Sequence, residues 1–140
     1  MTARKPESTF ITSVHRHLPA TLYRIKNNNM YNGGQADCWY SGHGGDLWVE
    51  YKWLARIPPI IDLVTKPSPK VDPILSKLQQ DWLNSRYDEG RKVAVIVGWK
   101  DGGVIYTSKS WNNPLKREDF ITKCTAKRVD IAQFIQSICL

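Results

Sequence analysis

Asp37, Glu50 and Lys52 are the residues of this chain whose types and spacing invite chemistry. Glu50 and Lys52 are two apart, so on an extended strand their side chains leave the same face. Asp37 precedes them by the length of one hairpin. Between lies Ser41-Gly42-His43-Gly44-Gly45, a glycine-rich stretch suited to a turn. Folding the run from Gly33 to Lys52 back on itself brings Asp37 towards Glu50. Two carboxylates beside an ammonium form a site for a hard divalent cation, Mg2+ with Mn2+ as its substitute. The backbone carbonyl of Tyr51, between the two charged side chains, offers a further oxygen. A cation held there would neutralise a phosphodiester and acidify a bound water. Lys52 would hold that water or stabilise the developing charge. Glu-x-Lys is also an ordinary ion pair, and the residues alone leave a metal site and a structural salt bridge both open. Trp48, Val49 and Trp53 give Glu50 an apolar setting. The strand is read with Val49 and Tyr51 on one face and Trp53 back on the charged side.

These groups need elements to position them. Pro6-Glu7 suits a helix start, with Phe10, Ile11, Val14 and Leu18 as its apolar face and Pro19 as its stop. Glu7 borders that face. It reads as a favourable first-turn carboxylate or as an outer carboxylate of the metal site. Leu22 to Ile25 is a short strand, and the asparagine- and glycine-rich stretch after it is turn chemistry. The hairpin arms are read as Gln35–Tyr40 and Asp46–Leu54. Residues 56–73 hold five prolines with Lys66 and Lys70, a basic loop that could clamp a phosphate backbone or serve as a partner-binding arm. Asp72 or Ser76 caps the next helix, with Leu75, Leu78, Trp82 and Leu83 packed and Gly90 as its stop. Gln79 lies on the packed side, where a buried carboxamide must find a partner. Val93 to Val97 is a central strand, turned by Asp101-Gly102-Gly103 into Val104–Tyr106. Pro114 to Lys123 is read as a short helix. Asp130 then caps a final helix, with Ile131, Phe134, Ile135 and Ile138 packed. The order α-β-β-β-α-β-β-α predicts an α/β (α+β) fold, a mixed sheet with helices against it.

At 140 residues the chain suits one domain, with a core over residues 7–106 and a basic extension over 109–140 packed on or beside it. The net charge of +7 suits a polyanionic partner, though it also suits a merely solubilising surface. Lys66, Lys70, Lys116, Arg117, Lys127 and Arg128 are the candidate nucleic-acid contacts. No apolar run approaches the ~20 residues of a membrane-spanning helix, and the N-terminus lacks a signal-peptide core. The expectation is a cytoplasmic protein with no membrane association. Cys38, Cys124 and Cys139 suit free buried thiols. His15, His17 and His43 make no metal-ligand spacing with them. Among six tryptophans, Trp82 and Trp99 suit the core. Trp39, Trp48, Trp53 and Trp111 could stack on unpaired bases, although burial suits each taken singly.

Gly34-Gln35-Ala36-Asp37 followed by Glu50-Tyr51-Lys52 resembles the core of the PD-(D/E)XK nuclease superfamily. Leu75-Ser76-Lys77-Leu78-Gln79, Trp82-Leu83, Gly90 and the strand from Val93 to Val97 resemble its VRR-NUC branch, including stand-alone phage members. The likeness runs from about Glu7 to Tyr106. It implies a restriction-endonuclease-like mixed sheet flanked by helices and a Mg2+-dependent endonuclease. Asp37 and Glu50 would be ligands, Lys52 the catalytic lysine, Gln79 a site residue and Glu7 the first-helix carboxylate. Stand-alone members are similar to dimeric Holliday-junction resolvases, so the resemblance implies a homodimer acting on branched duplex DNA in phage replication, recombination or repair, within the host cytoplasm. A non-cleaving binding module on this scaffold and a nicking or single-strand nuclease are the alternatives. Ala36 stands where the family has proline, which shapes backbone and performs no chemistry.

Overall fold

The computed structural model describes residues 6–27, 34–124 and 126–140. Lys5, Gly33 and the expected turn at Asn28–Gly33 lie outside them. Five strands form the main sheet: β1 (Tyr23–Lys26), β2 (Cys38–Gly42), β3 (Gly45–Trp53), β5 (Val93–Trp99) and β6 (Gly102–Tyr106). Their spatial order is β1-β2-β3-β5-β6, with β3 and β5 parallel and every other pair antiparallel. The parallel pair needs a crossover, and helix α2 (Lys77–Asp88) supplies it. Helices α1 (Pro6–His15), α3 (Arg117–Lys123) and α4 (Arg128–Cys139) complete the layers. The expected α/β class, a mixed sheet flanked by helices, is the one observed.

Strand β5 is buried from Val93 through Gly98, as an apolar run covered on both faces must be. One cluster packs α1 and α4 on the face carrying Val49, Tyr51, Ala94 and Ile96. The other packs Leu83, Trp111 and Phe120 on the face carrying Val93, Val95 and Val97. The stretch 109–140 therefore supplies buried residues to both clusters. Cys38, Cys124 and Cys139 are free and buried, as expected.

Several sequence expectations are corrected. Trp53 shares the face of Val49 and Tyr51, because strand side chains alternate with period two. It packs 5.7 Å from Phe10. The strand's two-residue turn falls at His43-Gly44, so the arms are Cys38–Gly42 and Gly45–Trp53. Helix α1 ends at His15, before Pro19, while Leu18 is still buried in the following turn. Leu78 is 62% exposed, and Leu75 is buried ahead of α2 rather than on it. Ser76 is the N-cap, its side chain accepting from Gln79 N–H. Trp111 is wholly buried with its indole N–H donating to Asn84, so it offers no ring to a base.

The 56–73 loop is tied down by a small second sheet that the expected element order lacked. Strand β4 (Ile60–Ile61) pairs with β7 (Leu115–Lys116), Ile61 and Leu63 are buried, and Leu63 C=O accepts from Leu75 N–H. The expected helix from Pro114 thus starts at Arg117, after β7. The last helix starts at Arg128, two residues before Asp130. Asp130 caps from inside, accepting Lys127 N–H at 2.9 Å.

Candidate metal centre

Strand alternation and hairpin register build the site. Cys38 pairs with Val49 and Trp39 with Trp48, so continuing the register by one residue sets Asp37 opposite Glu50. Asp37 is held there by the backbone of β3: its Oδ2 accepts from Tyr51 N–H at 3.0 Å. A strand residue's N–H and C=O point to the same edge, so the Tyr51 carbonyl looks to the same side as Asp37.

Glu50 is 1% exposed and is the one buried charged residue among those described. Its Oε2 lies 3.3 Å from Lys52 Nζ and accepts from Gln79 Nε2 at 3.1 Å. Its Oε1 is buried, with no hydrogen-bond donor among the described residues. Burial, then the like charge of Asp37, pushes the Glu50 carboxyl up to about 8, while Lys52 acts the other way. Lys52 is 18% exposed along its side chain, and Asp37 and Gln79 are likewise half-buried, so solvent reaches the cluster around Glu50.

Two local devices hold these groups. Gln79 turns its carboxamide two ways, its Oε1 accepting from Ser76 N–H at 3.0 Å while its Nε2 holds Glu50. Gly34 has φ +89°, and a Cβ there would sit 2.5 Å from the Leu78 carbonyl oxygen. Only glycine lets the segment leading to Asp37 run against the first turn of α2. Ala36 is wholly buried on the way. Behind the sheet, Tyr51 and Tyr40 hydroxyls meet at 2.7 Å, and Tyr40 meets His15 Nε2 at 2.7 Å, which locks β3 from its other face.

The structure thus brings together Asp37, Glu50, Lys52 and Gln79. It does not draw Glu7 into a three-carboxylate cluster: no group of three His, Cys, Asp or Glu suited to a metal occurs among the described residues. Glu7 is half-buried in the first turn of α1, one turn before Phe10, which packs on Tyr51. The basic candidates do not form one patch. Lys66 and Lys70 are exposed on the tied-down loop, and Lys116 and Arg117 sit at the small sheet, where Arg117 Nε donates to Ile57 C=O. Lys127 and Arg128 begin α4, on the sheet face opposite Glu50, and Arg128 lies 4.9 Å over the Phe10 ring.

The donor set fits a hard cation. Two carboxylates come together, one with a buried oxygen that has no hydrogen-bond partner among the described residues, and the Tyr51 carbonyl looks to the Asp37 side. Sequence reasoning missed two features. One is the Tyr51 N–H that fixes Asp37, which no side-chain pattern encodes. The other is an aromatic row on the Glu50 face, legible only once the two-residue turn sets Trp39 against Trp48.

No family model matches the sequence, and no curated protein matches it. Among solved structures the chain is similar to Hjc, a Holliday junction resolvase from the archaeal hyperthermophile Archaeoglobus fulgidus. The TM-score is 0.54 over 90% of this chain and 99% of that one, at 9% identity. At that identity the likeness is one of fold. No helix among the described residues is long and apolar enough to cross a membrane.

Proposed function

We propose that the protein is a divalent-metal-dependent endodeoxyribonuclease, structure-selective on branched DNA and acting as a homodimer in the manner of a Holliday-junction resolvase. The observation that supports it is the state of Glu50: wholly buried beside the like charge of Asp37, one oxygen held by an ammonium and a carboxamide, the other with no hydrogen-bond partner among the described residues. A structural ion pair with Lys52 needs no second carboxylate, and an uncompensated buried charge is costly.

Asp37 and Glu50 would hold Mg2+, with the Tyr51 carbonyl as a further oxygen and Glu7 acting through water. The ion supplies charge neutralisation at the phosphodiester and a water of lowered pKa. Tyr51 N–H keeps Asp37 aimed, and the Gln79 side-chain amide keeps Glu50 from turning away. Lys52, part-exposed beside Glu50, would donate to the attacking water or to the phosphoryl oxygen as charge builds. The resolvase likeness of the fold favours a DNA substrate, and Lys66, Lys70, Lys116, Arg117, Lys127 and Arg128 are the proposed backbone contacts.

The test incubates the protein with labelled four-way junctions, flaps and linear duplex, with Mg2+ and with chelator. Metal-dependent cutting of the branched substrates that Glu50→Gln abolishes is the expected result. Cutting that survives in Glu50→Gln places the site elsewhere. Binding without cutting in Mg2+ or Mn2+ leaves a non-cleaving module on this scaffold.

A further inference from the structure

A row of rings crosses the sheet on the face that carries Glu50. Tyr23 lies 5.7 Å from Trp39, Trp39 lies 5.9 Å from Trp48, and Trp48 lies 5.3 Å from Trp82 of α2. The guanidinium of Arg86 stands 5.9 Å over Trp82 and closes the row. Tyr23 is 58% exposed, and Trp39, Trp48 and Trp82 are half-buried. A cavity of about 370 Å3 opens onto Trp48 and Trp82, with Gln35, Arg86 and Arg91 as its other walls. Glu89 bridges Arg86 at 3.0 Å and Arg91 at 3.4 Å, one anion to two cations, so the rim stays positive.

The position of this cavity is the informative part. Gln35 is two residues from Asp37 and Trp48 is two residues from Glu50, so it lies about 6.5 Å along the strands from the carboxylate pair. Rings beside guanidinium groups are the chemistry that holds nucleotides whose bases are free: the rings take base faces and the cations take phosphates. In a duplex those base faces are closed by stacking, so the row has nothing to offer an intact helix.

We infer that the Tyr23–Trp39–Trp48–Trp82 row, with Arg86 and Arg91 at its rim, is a platform for unpaired nucleotides of the substrate. It sets a single-stranded segment beside the carboxylate pair. The inference deepens the nuclease reading, on which it rests for the identity of the polymer. It assigns the selectivity to strands whose bases are exposed, at a flap, a gap or an opened branch point.

The test is fluorescence anisotropy of full-length protein in chelator, so that binding is read apart from cutting. The probes are a labelled 12-mer of thymidylate, a blunt 12-base-pair duplex, and that duplex carrying a thymidylate flap. The single strand and the flap should bind more tightly than the blunt duplex. Tyr23→Ala and Arg91→Ala, both at exposed positions and safe for folding, should together weaken the single strand about tenfold or more and leave the duplex within about twofold. Trp39→Leu should act in the same direction, with circular dichroism confirming its fold. Equal binding of single strand and blunt duplex overturns the platform. So does a Trp39→Leu variant that loses a self-association seen by sedimentation while single-strand binding stays unchanged, because the row is then a contact between copies. Single-strand binding without cutting in Mg2+ removes the nuclease reading and leaves the platform standing. Cutting without strand preference does the reverse.

Discussion

Gln79 ties Glu50 to the start of a helix. One carboxamide donates to Glu50 Oε2 at 3.1 Å and accepts from Ser76 N–H at 3.0 Å, so the cap of α2 and the orientation of the buried carboxylate are a single arrangement. Gln79→Ala should therefore lose ~1 kcal/mol of stability through the cap and reduce metal affinity or cleavage about 10- to 100-fold. Gln79→Glu keeps an acceptor for Ser76 but sets a like charge against Glu50. It should retain the helix and still lose the activity. Urea melts paired with cleavage assays read the two effects, and a Gln79→Glu variant of full activity would refute the arrangement.

Glu50→Gln replaces a buried, ill-compensated carboxylate with a neutral group of the same shape. In chelator at pH 8 the variant should melt at or above the wild type. Adding Mg2+ should raise the wild-type melting temperature, with a free-energy gain of about 2.7 kcal/mol at a hundredfold excess over Kd. It should leave Glu50→Gln unmoved. Differential scanning fluorimetry decides this without any nucleic acid present.

The same carboxyl makes the apoprotein and the metal respond oppositely to pH. Its folded pKa of about 8 lies above the ordinary 4.5, so the folded state binds the proton more tightly. That contribution to stability is full below about pH 4.5 and is lost as pH rises through about 8. Mg2+ competes with the proton, so its affinity should climb towards about pH 8 and then level off. Urea melts of wild type against Glu50→Gln, with calorimetric Mg2+ titrations at pH 6, 7, 8 and 9, test both signs. Flat Mg2+ affinity across that range would show that Glu50 is not a ligand.

His15 works in the other direction. Burial, then the charges of Arg24 and Lys26, hold its pKa down to about 4. The folded state resists the proton that the unfolded chain takes up near 6.5, so this contribution is present above about 6.5 and lost as pH falls towards 4. His15→Gln, which can still reach the Tyr40 hydroxyl, should flatten the decline between pH 6.5 and 4.5. An unchanged slope in urea melts would mean that His15 is protonated in the folded protein.

Gly34→Ala forces a side chain onto a backbone at φ +89° and against the Leu78 carbonyl. The expected cost is ~1–3 kcal/mol. Because the same segment delivers Asp37, the Mg2+-induced rise in melting temperature should shrink as well. A variant as stable as wild type would show that the chain there relaxes freely.

Much of this arrangement was legible in the residues. The Asp37/Glu50/Lys52 spacing and the glycine-rich turn predict the carboxylate pair because strand pairing converts sequence symmetry about a turn into proximity. The run from Val93 to Val97 predicts a central strand because only a sheet covered twice tolerates it. What escaped depends on distant partners. Ile60-Ile61 reads as loop until Leu115-Lys116 arrives to pair with it. Trp53 is expected on the charged face, yet period-two alternation alone sets it with Val49 and Tyr51, against Phe10. Glu7 enters as an outer site carboxylate through the resemblance alone, because the first turn of a helix gives a carboxylate a stabilising place of its own.

Strand β3, which carries Glu50 and Lys52, is paired along both edges, with β2 on one side and β5, buried from Val93 through Gly98, on the other. Amides in such a strand exchange with solvent only when the entire molecule opens. Heating should therefore erase catalysis and tertiary structure at one common temperature, with no early loss from a fraying periphery. Hydrogen–deuterium exchange would register Val49 to Lys52 among the last peptides to label.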